Sequence, residues 1–148
     1  MQAIQRLLHI MQRLRDPDTG CPWDRQQTFA SIVPHTLEEA YEVADAIERG
    51  AMDEVKDELG DLLFQVVFYA QLGREQGLFD LEAIASAIAD KLERRHPHVF
   101  ADMTYADSAA QWRHWEVLKA EERAARTGAS ANPSVLDDIT PTLPALSL

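Results

Sequence analysis

LGDLLFQVVFYAQL, residues 59–72, is the stretch whose reading decides the fold. On a helix turning about 100° per residue, Leu59, Leu62, Leu63, Phe64, Val66, Val67, Phe68, Tyr69 and Leu72 spread nearly all the way round. A helix apolar on every side belongs in a core or in a membrane. This one carries Asp61 and two glutamines, and a bilayer span needs about 20 apolar residues, so it reads as the central helix of a bundle. Glu58 and Asp61 stand three apart at its front, flanked by Leu62 and Phe68. Buried carboxylates without partners are costly, so a positive group is expected to meet them.

Working outward, the central helix runs from Asp53 to about Glu75 and is closed by Gly77. Before it, Pro34 is expected to break or kink the chain after a short helical turn. Thr36 then caps a helix to Arg49, with Glu39 at capping-box spacing and Gly50 as the stop. The apolar face of that helix is Leu37, Ala40, Val43, Ala44 and Ile47, while Glu38, Glu39 and Glu42 share another face. After the central helix, Asp80 caps a helix from Leu81 to about Arg95, with Ile84, Ala85, Ile88 and Leu92 turned inward and Pro97 as the stop. Ser108 opens a last helix to about Arg126, carrying Trp112, Trp115 and Leu118. At the front, Ile4, Leu7, Leu8, Met11 and Leu14 recur at amphipathic-helix spacing, which predicts a docking helix over 2–15. Residues 16–27, DPDTGCPWDRQQ, read as a loop, with Trp23 either its anchor on the core or a wall of a substrate pocket.

No strand alternation interrupts this pattern, so the fold expected is an all-α helical bundle. Residues 1–126 form one domain, and 127–148, rich in Pro, Ser and Ala, read as a linker or C-terminal tail. The chain has 148 residues, is 46% hydrophobic and carries a net charge of −11. That size and composition suffice for a core, and the acidity excludes a general nucleic-acid binder, which needs a basic stripe. The single cysteine, Cys21, excludes an internal disulfide and fits a reducing cytoplasm. The opening MQAIQRLLHIMQRLRD lacks an uninterrupted apolar run, so neither a secretory segment nor a membrane anchor is expected.

The chemistry gathers on two acidic pairs. Glu39 and Glu42 are three apart on one helix, Glu58 and Asp61 three apart on the next, and residues so spaced share a face. Two antiparallel neighbours bring the four carboxylates around one point, where cations are required. Oxygen ligands without Cys or His favour Mg²⁺, or Mn²⁺, over softer metals. A di-iron bundle would need Glu-x-x-His on two helices, and neither pair contains His. Taken alone, Glu38, Glu39 and Glu42 also fit a solvated face with a capping box; the apolar surroundings of Glu58 and Asp61 favour the metal site.

The blocks GCPWD (20–24), LEEAYE (37–42), ELGDLLFQVVF (58–68), KLERRHPHVF (91–100) and WEVLKAEER (115–123), in this order, resemble the MazG family of nucleoside triphosphate pyrophosphohydrolases. Within the family the wording is similar to the N-terminal repeat of tandem proteins. The resemblance implies hydrolysis of an NTP or dNTP to the monophosphate and pyrophosphate with Mg²⁺, in a homodimer or higher homo-oligomer. It implies metal ligation by Glu39, Glu42, Glu58 and Asp61, and a water-activating role for Glu38. Lys91 and Arg95, one turn apart, would neutralise phosphate oxygens, and Trp115 and Lys119 match a block tied to nucleotide binding. The alternative is a catalytically weak module of the same shape, serving dimerisation or regulation.

Overall fold

The computed structural model describes residues 2–127. Seven helices occur among the described residues: α1 (Gln2–Leu14), α2 (Pro22–Gln26), α3 (Phe29–Glu48), α4 (Met52–Glu75), α5 (Leu81–Arg95), α6 (Pro97–Phe100) and α7 (Ser108–Thr127). There is no strand among them, in accord with the all-α expectation. From Gly128 onward, the segment read as a tail lies outside the described residues. The chain divides into two compact units, one ending at Asp90 and one beginning at Lys91.

In the first unit α4 packs against both α3 and α1. Met11, Ile32, Val67, Phe68 and Leu72 form the buried centre, with Leu7, Leu8, Leu14, Phe29, Phe64, Tyr69 and Leu81 around it. The docking role expected of α1 follows from its stripe: Met11 is fully buried, Leu7, Leu8 and Leu14 are half-buried, and Ile4 lies at the exposed rim. Helices α3 and α4 end in the same way. Gly50 and Gly77 adopt φ of 70° and 68°, the left-handed conformation that glycine reaches without strain. The amides after them then bond back, Ala51 to the Ala46 carbonyl and Leu78 to that of Gly73, which satisfies carbonyls a helix end leaves open.

Three expectations are corrected. Pro34 does not break α3, and Thr36 is not its cap. The cap is Thr28, whose hydroxyl accepts from the Ser31 amide while the Ser31 hydroxyl accepts from the Thr28 amide. With the start fixed there, Pro34 forfeits only the backbone bond to the Ala30 carbonyl, and Ala30 is exposed to water that replaces it. Thr36 instead sits inside the helix, its hydroxyl 2.6 Å from that of Tyr69 on α4.

Trp23 is not packed into the core; it is 48% exposed. Nor is 16–27 a loop throughout, since Pro22–Gln26 form the short helix α2; the segment is anchored by Arg15, whose Nη1 donates to the carbonyls of Asp24, Arg25 and Gln27 at 2.7, 3.2 and 3.0 Å. The same guanidinium pairs with Glu75 at the end of α4, at 2.6 Å.

The faces assigned inward on α3 and α5 are largely bare. Leu37, Ala40, Ala44 and Ile47 are exposed on α3, as are Ala85, Ile88 and Leu92 on α5; only Val43 and Ile84 are half-buried. What faces α4 is the row Ile32, Thr36, Glu39, Val43 and Ala46, which repeats every three and four residues and is buried or half-buried throughout. Such a row is the seam of two paired helices. The larger apolar residues lie about a quarter-turn away from it.

Candidate functional site

The α4 side of the same seam is Glu58, Leu62, Gln65, Tyr69 and Leu72, again spaced by three and four and buried or half-buried. Each helix therefore places one glutamate, Glu39 or Glu58, in a line of otherwise packed residues. Gln65 and Tyr69 reach across to Thr36, at 3.3 and 2.6 Å, and fix the register of the two helices. Asp61 stands one turn beyond Glu58 at the exposed edge. Carboxylate oxygens of Glu39, Glu58 and Asp61 all lie within 4.8 Å of one another. The Glu42 carboxyl borders both Glu39 and Glu58.

The electrostatics follow from that crowding. The Glu39 carboxyl is pushed up to about 7, first by burial and then by the negative charges of Glu42 and Asp61. Glu58 is held above the usual carboxylate range, first by the Glu42 carboxyl in hydrogen-bonding reach, then by burial and the charges of Glu42 and Asp61. Oε2 of Glu39 and Oε2 of Glu58 are both shielded from water without a hydrogen-bond partner. Among the described residues no lysine or arginine forms a salt bridge with Glu39, Glu42, Glu58 or Asp61. These four residues thus supply acceptors and negative charge, with no salt-bridged cation beside them among the described residues. Unpartnered oxygens among clustered carboxylates are donors of the kind that a hard divalent ion takes beside its waters, so these residues fit Mg²⁺ or Mn²⁺. Glu38, the residue before Glu39 on α3, is exposed.

The second unit gathers another set. Lys91, Arg95 and Lys119 line one cavity of about 200 Å³ together with Arg94, Glu122, Arg123 and Arg126. Trp115 is not part of that lining. It is half-buried, edge-on to Trp112 with ring centroids 5.7 Å apart, and its Nε1 is shielded without a partner. Arg95 pairs with Glu122 at 2.5 Å, Arg94 with the same carboxylate at 2.9 Å, and Lys119 with Glu116 at 3.6 Å. Arg95 first, and then Arg94, holds the Glu122 carboxyl down to about 2. The sequence pointed to Lys91, Arg95 and Lys119 but not to Arg94, Arg123, Arg126 or Glu122. The spacing Lys119, Glu122, Arg123, Arg126 on α7 is a helical stripe that would have pointed to them. The clamp formed by Arg15 carried no comparable signal, because its partners are backbone carbonyls.

An α-helical hairpin whose seam pools carboxylates with no cation of its own beside them, among the described residues, defines the class: an all-α protein with an acidic helix-pair site. The family model for the MazG nucleotide pyrophosphohydrolase domain matches residues 27–100, which hold all four carboxylates. The chain belongs to that family. It is 60% identical over 146 residues to a nucleoside triphosphate pyrophosphohydrolase of Escherichia coli K12, covering 99% of this chain and 54% of the relative. It is 42% identical to the nucleoside triphosphate pyrophosphohydrolase/pyrophosphatase MazG of Thermotoga maritima, over 97% of this chain and 52% of the relative. The chain therefore spans about half the length of these curated relatives. The crystal structure of a mazG-related protein from Thermotoga maritima superposes with a TM-score of 0.64 at 25% identity, covering 78% of this chain and 98% of that one.

Proposed function

We propose that this chain hydrolyses nucleoside triphosphates to the monophosphate and pyrophosphate, with Glu39, Glu42, Glu58 and Asp61 as ligands for Mg²⁺, Mn²⁺ being an alternative. The observation that carries the reading is the pair of shielded, partnerless oxygens on Glu39 and Glu58, inside the segment that matches the family. A bound divalent ion withdraws charge from phosphate oxygens and eases deprotonation of water. Around it, Glu38 accepts the proton of the water that attacks the α-phosphorus, and the bond to the bridging oxygen breaks to release pyrophosphate. Lys91, Arg95 and Lys119 neutralise phosphate oxygens, and Trp115 contributes to nucleotide binding. The free thiol of Cys21 fits a cytoplasmic enzyme, and among the described residues no helix is long and apolar enough to cross a membrane.

The proposal includes a homodimer or a higher homo-oligomer. Leu37, Ala40, Ala44 and Ile47 on α3 and Leu59, Leu63 and Val66 on α4 are exposed. Helix phase in an antiparallel pair turns both rows to the side opposite the carboxylates. A second copy laid on this stripe buries it. Sedimentation or light scattering should return at least twice the chain mass, and Leu63→Glu should lower it; a wild-type monomer at micromolar concentration overturns the dimer.

For the activity, the purified chain with Mg²⁺ and mixed NTPs should release pyrophosphate and NMP in equal amounts. Orthophosphate with NDP would indicate a different hydrolase. A reading as a catalytically weak dimerisation or regulatory module draws on the chain spanning half of its relatives, and absence of any product would favour it.

A further inference from the structure

The seam between α3 and α4 carries a hydrogen-bonded cluster one turn from the carboxylates. The Thr36 hydroxyl lies 2.6 Å from the Tyr69 hydroxyl, 3.3 Å from Gln65 Oε1 and 3.2 Å from the Ile32 carbonyl oxygen. Thr36 donates to the Ile32 and Gln65 oxygens in turn and accepts the Tyr69 proton. Gln65 is 6% exposed, and the Tyr69 ring stacks on Phe29 of α3, with centroids 6.0 Å apart and planes at 5°. Apolar side chains at these positions would pack the seam without the cost of drying hydroxyls and an amide. What polar groups in a helix seam supply is a single register, at some expense of stability.

That register is what the carboxylates need. Thr36 precedes Glu39 by three residues on α3, and Gln65 follows Asp61 by four on α4, so the cluster sits about 4.5 to 6 Å along the helix axes from the acidic group. Carboxylate oxygens of Glu39, Glu58 and Asp61 gather within 4.8 Å of one another, and their mutual repulsion pushes the two helices apart at this level. A tie between α3 and α4 one turn away opposes that spreading and keeps the oxygens close enough to share one ion. Mg²⁺ demands near-ideal geometry at about 2.0–2.1 Å, whereas Ca²⁺ accepts flexible arrangements at about 2.3–2.6 Å. A site held closed therefore favours the smaller ion, and a site free to spread loses that preference.

We infer that Thr36, Gln65 and Tyr69 are positioning residues, whose hydrogen bonds hold α3 and α4 at the separation that makes the acidic site selective for Mg²⁺ over Ca²⁺. This rests on the metal-ligand reading above and goes beyond it, because the three act through the helix pair and not as ligands. It gives the polar level of the seam a role that ligation by the four carboxylates leaves unexplained.

The test is binding of Mg²⁺ and of Ca²⁺ to the chelator-treated full chain, read by calorimetry beside thermal melts and NTP turnover. Tyr69→Phe and Thr36→Val each remove a hydroxyl with little change of shape. Each should weaken Mg²⁺ binding roughly tenfold, the low end for groups that support metal ligands, and Ca²⁺ binding much less. Thr36→Ser keeps the hydroxyl and should bind Mg²⁺ as wild type does. The double variant should be no weaker than either single one, because both break the same bond. Variants that melt lower but keep the wild-type Mg²⁺ affinity would make the cluster a support of the fold alone and overturn the inference, as would equal losses for both ions. Wild type that prefers Mg²⁺ in a Tyr69-dependent manner without turnover would sink the hydrolase reading and leave the positioning role standing. Wild type that turns over NTP, with Mg²⁺ binding indifferent to both hydroxyls, would do the reverse. Binding of neither ion would overturn both.

Discussion

Replacing Glu39 by Gln removes one charge from the centre of the acidic site while keeping its shape. In the fold this carboxyl titrates near 7, against 4.5 for an unperturbed glutamate. At about 1.4 kcal/mol per tenfold, ionising it costs at most about 3 kcal/mol. Water still reaches part of the side chain, and screening brings the figure to about 1–2 kcal/mol. Because the folded value is raised, the unfolded chain releases this proton first. The contribution to stability is complete below pH 4.5 and is lost as the pH rises through 7. Glu39→Gln should therefore melt with the wild type near pH 4.5 in chelator and about 3–8 °C above it at pH 7.5. Magnesium should reverse the order. With a Kd of about 0.1 mM and about 10 mM Mg²⁺, mass action stabilises the wild type by about 2.7 kcal/mol, whereas the mutant has lost a ligand and gains little. Thermal melts at both pH values, with and without the ion, measure every part of this. A mutant that melts below wild type in chelator at pH 7.5, beside a wild type indifferent to Mg²⁺, would refute the reasoning and make Glu39 a structural residue with a cationic partner.

Other consequences follow from the packing. Arg15→Ala strands three carbonyls and Glu75, and urea titration should show a loss of about 2–4 kcal/mol. Gly73→Ala would set a methyl 2.4 Å from the Phe79 ring and 2.9 Å from its carbonyl oxygen, so about 1–3 kcal/mol should be lost in the same assay. Glu122 is depressed to about 2 by Arg95 and Arg94, so its contribution is present above pH 4.5 and disappears as the pH falls through 2. Melts of Glu122→Gln should lie below wild type at pH 6, with the gap closing towards pH 2.

The long helices α1, α4, α5 and α7 were legible in the sequence because their signals are local, whereas the short α2 lay inside a stretch read as a loop. The Asp80 carboxylate caps α5 by accepting from the Ala83 amide at 2.9 Å, and Gly50 and Gly77 close α3 and α4. Such groups act within one turn of the chain, and their spacing is written in the residue order. The pairing of acids at three-residue intervals was legible for the same reason, as were the five blocks that resemble the MazG family.

What lies between helices was not legible in that way. The apolar count of α3 pointed to Leu37 and Ile47 as its inward side, yet the strict row Ile32, Thr36, Glu39, Val43, Ala46 packs on α4. Residue order gives the phase of every face but not the choice among them. That choice is made by the partner helix, which here brings Glu58, Leu62, Gln65, Tyr69 and Leu72. The cap of α3 moved from Thr36 to Thr28 because Ser31 answers Thr28 and Tyr69 engages Thr36. Burial and mutual repulsion of Glu39 and Glu58 exist only once the helices meet, since both depend on distances between groups far apart in the chain. The sequence alone determined which side chains share a helical face; tertiary packing decided which faces meet, which lie bare and where charge is confined.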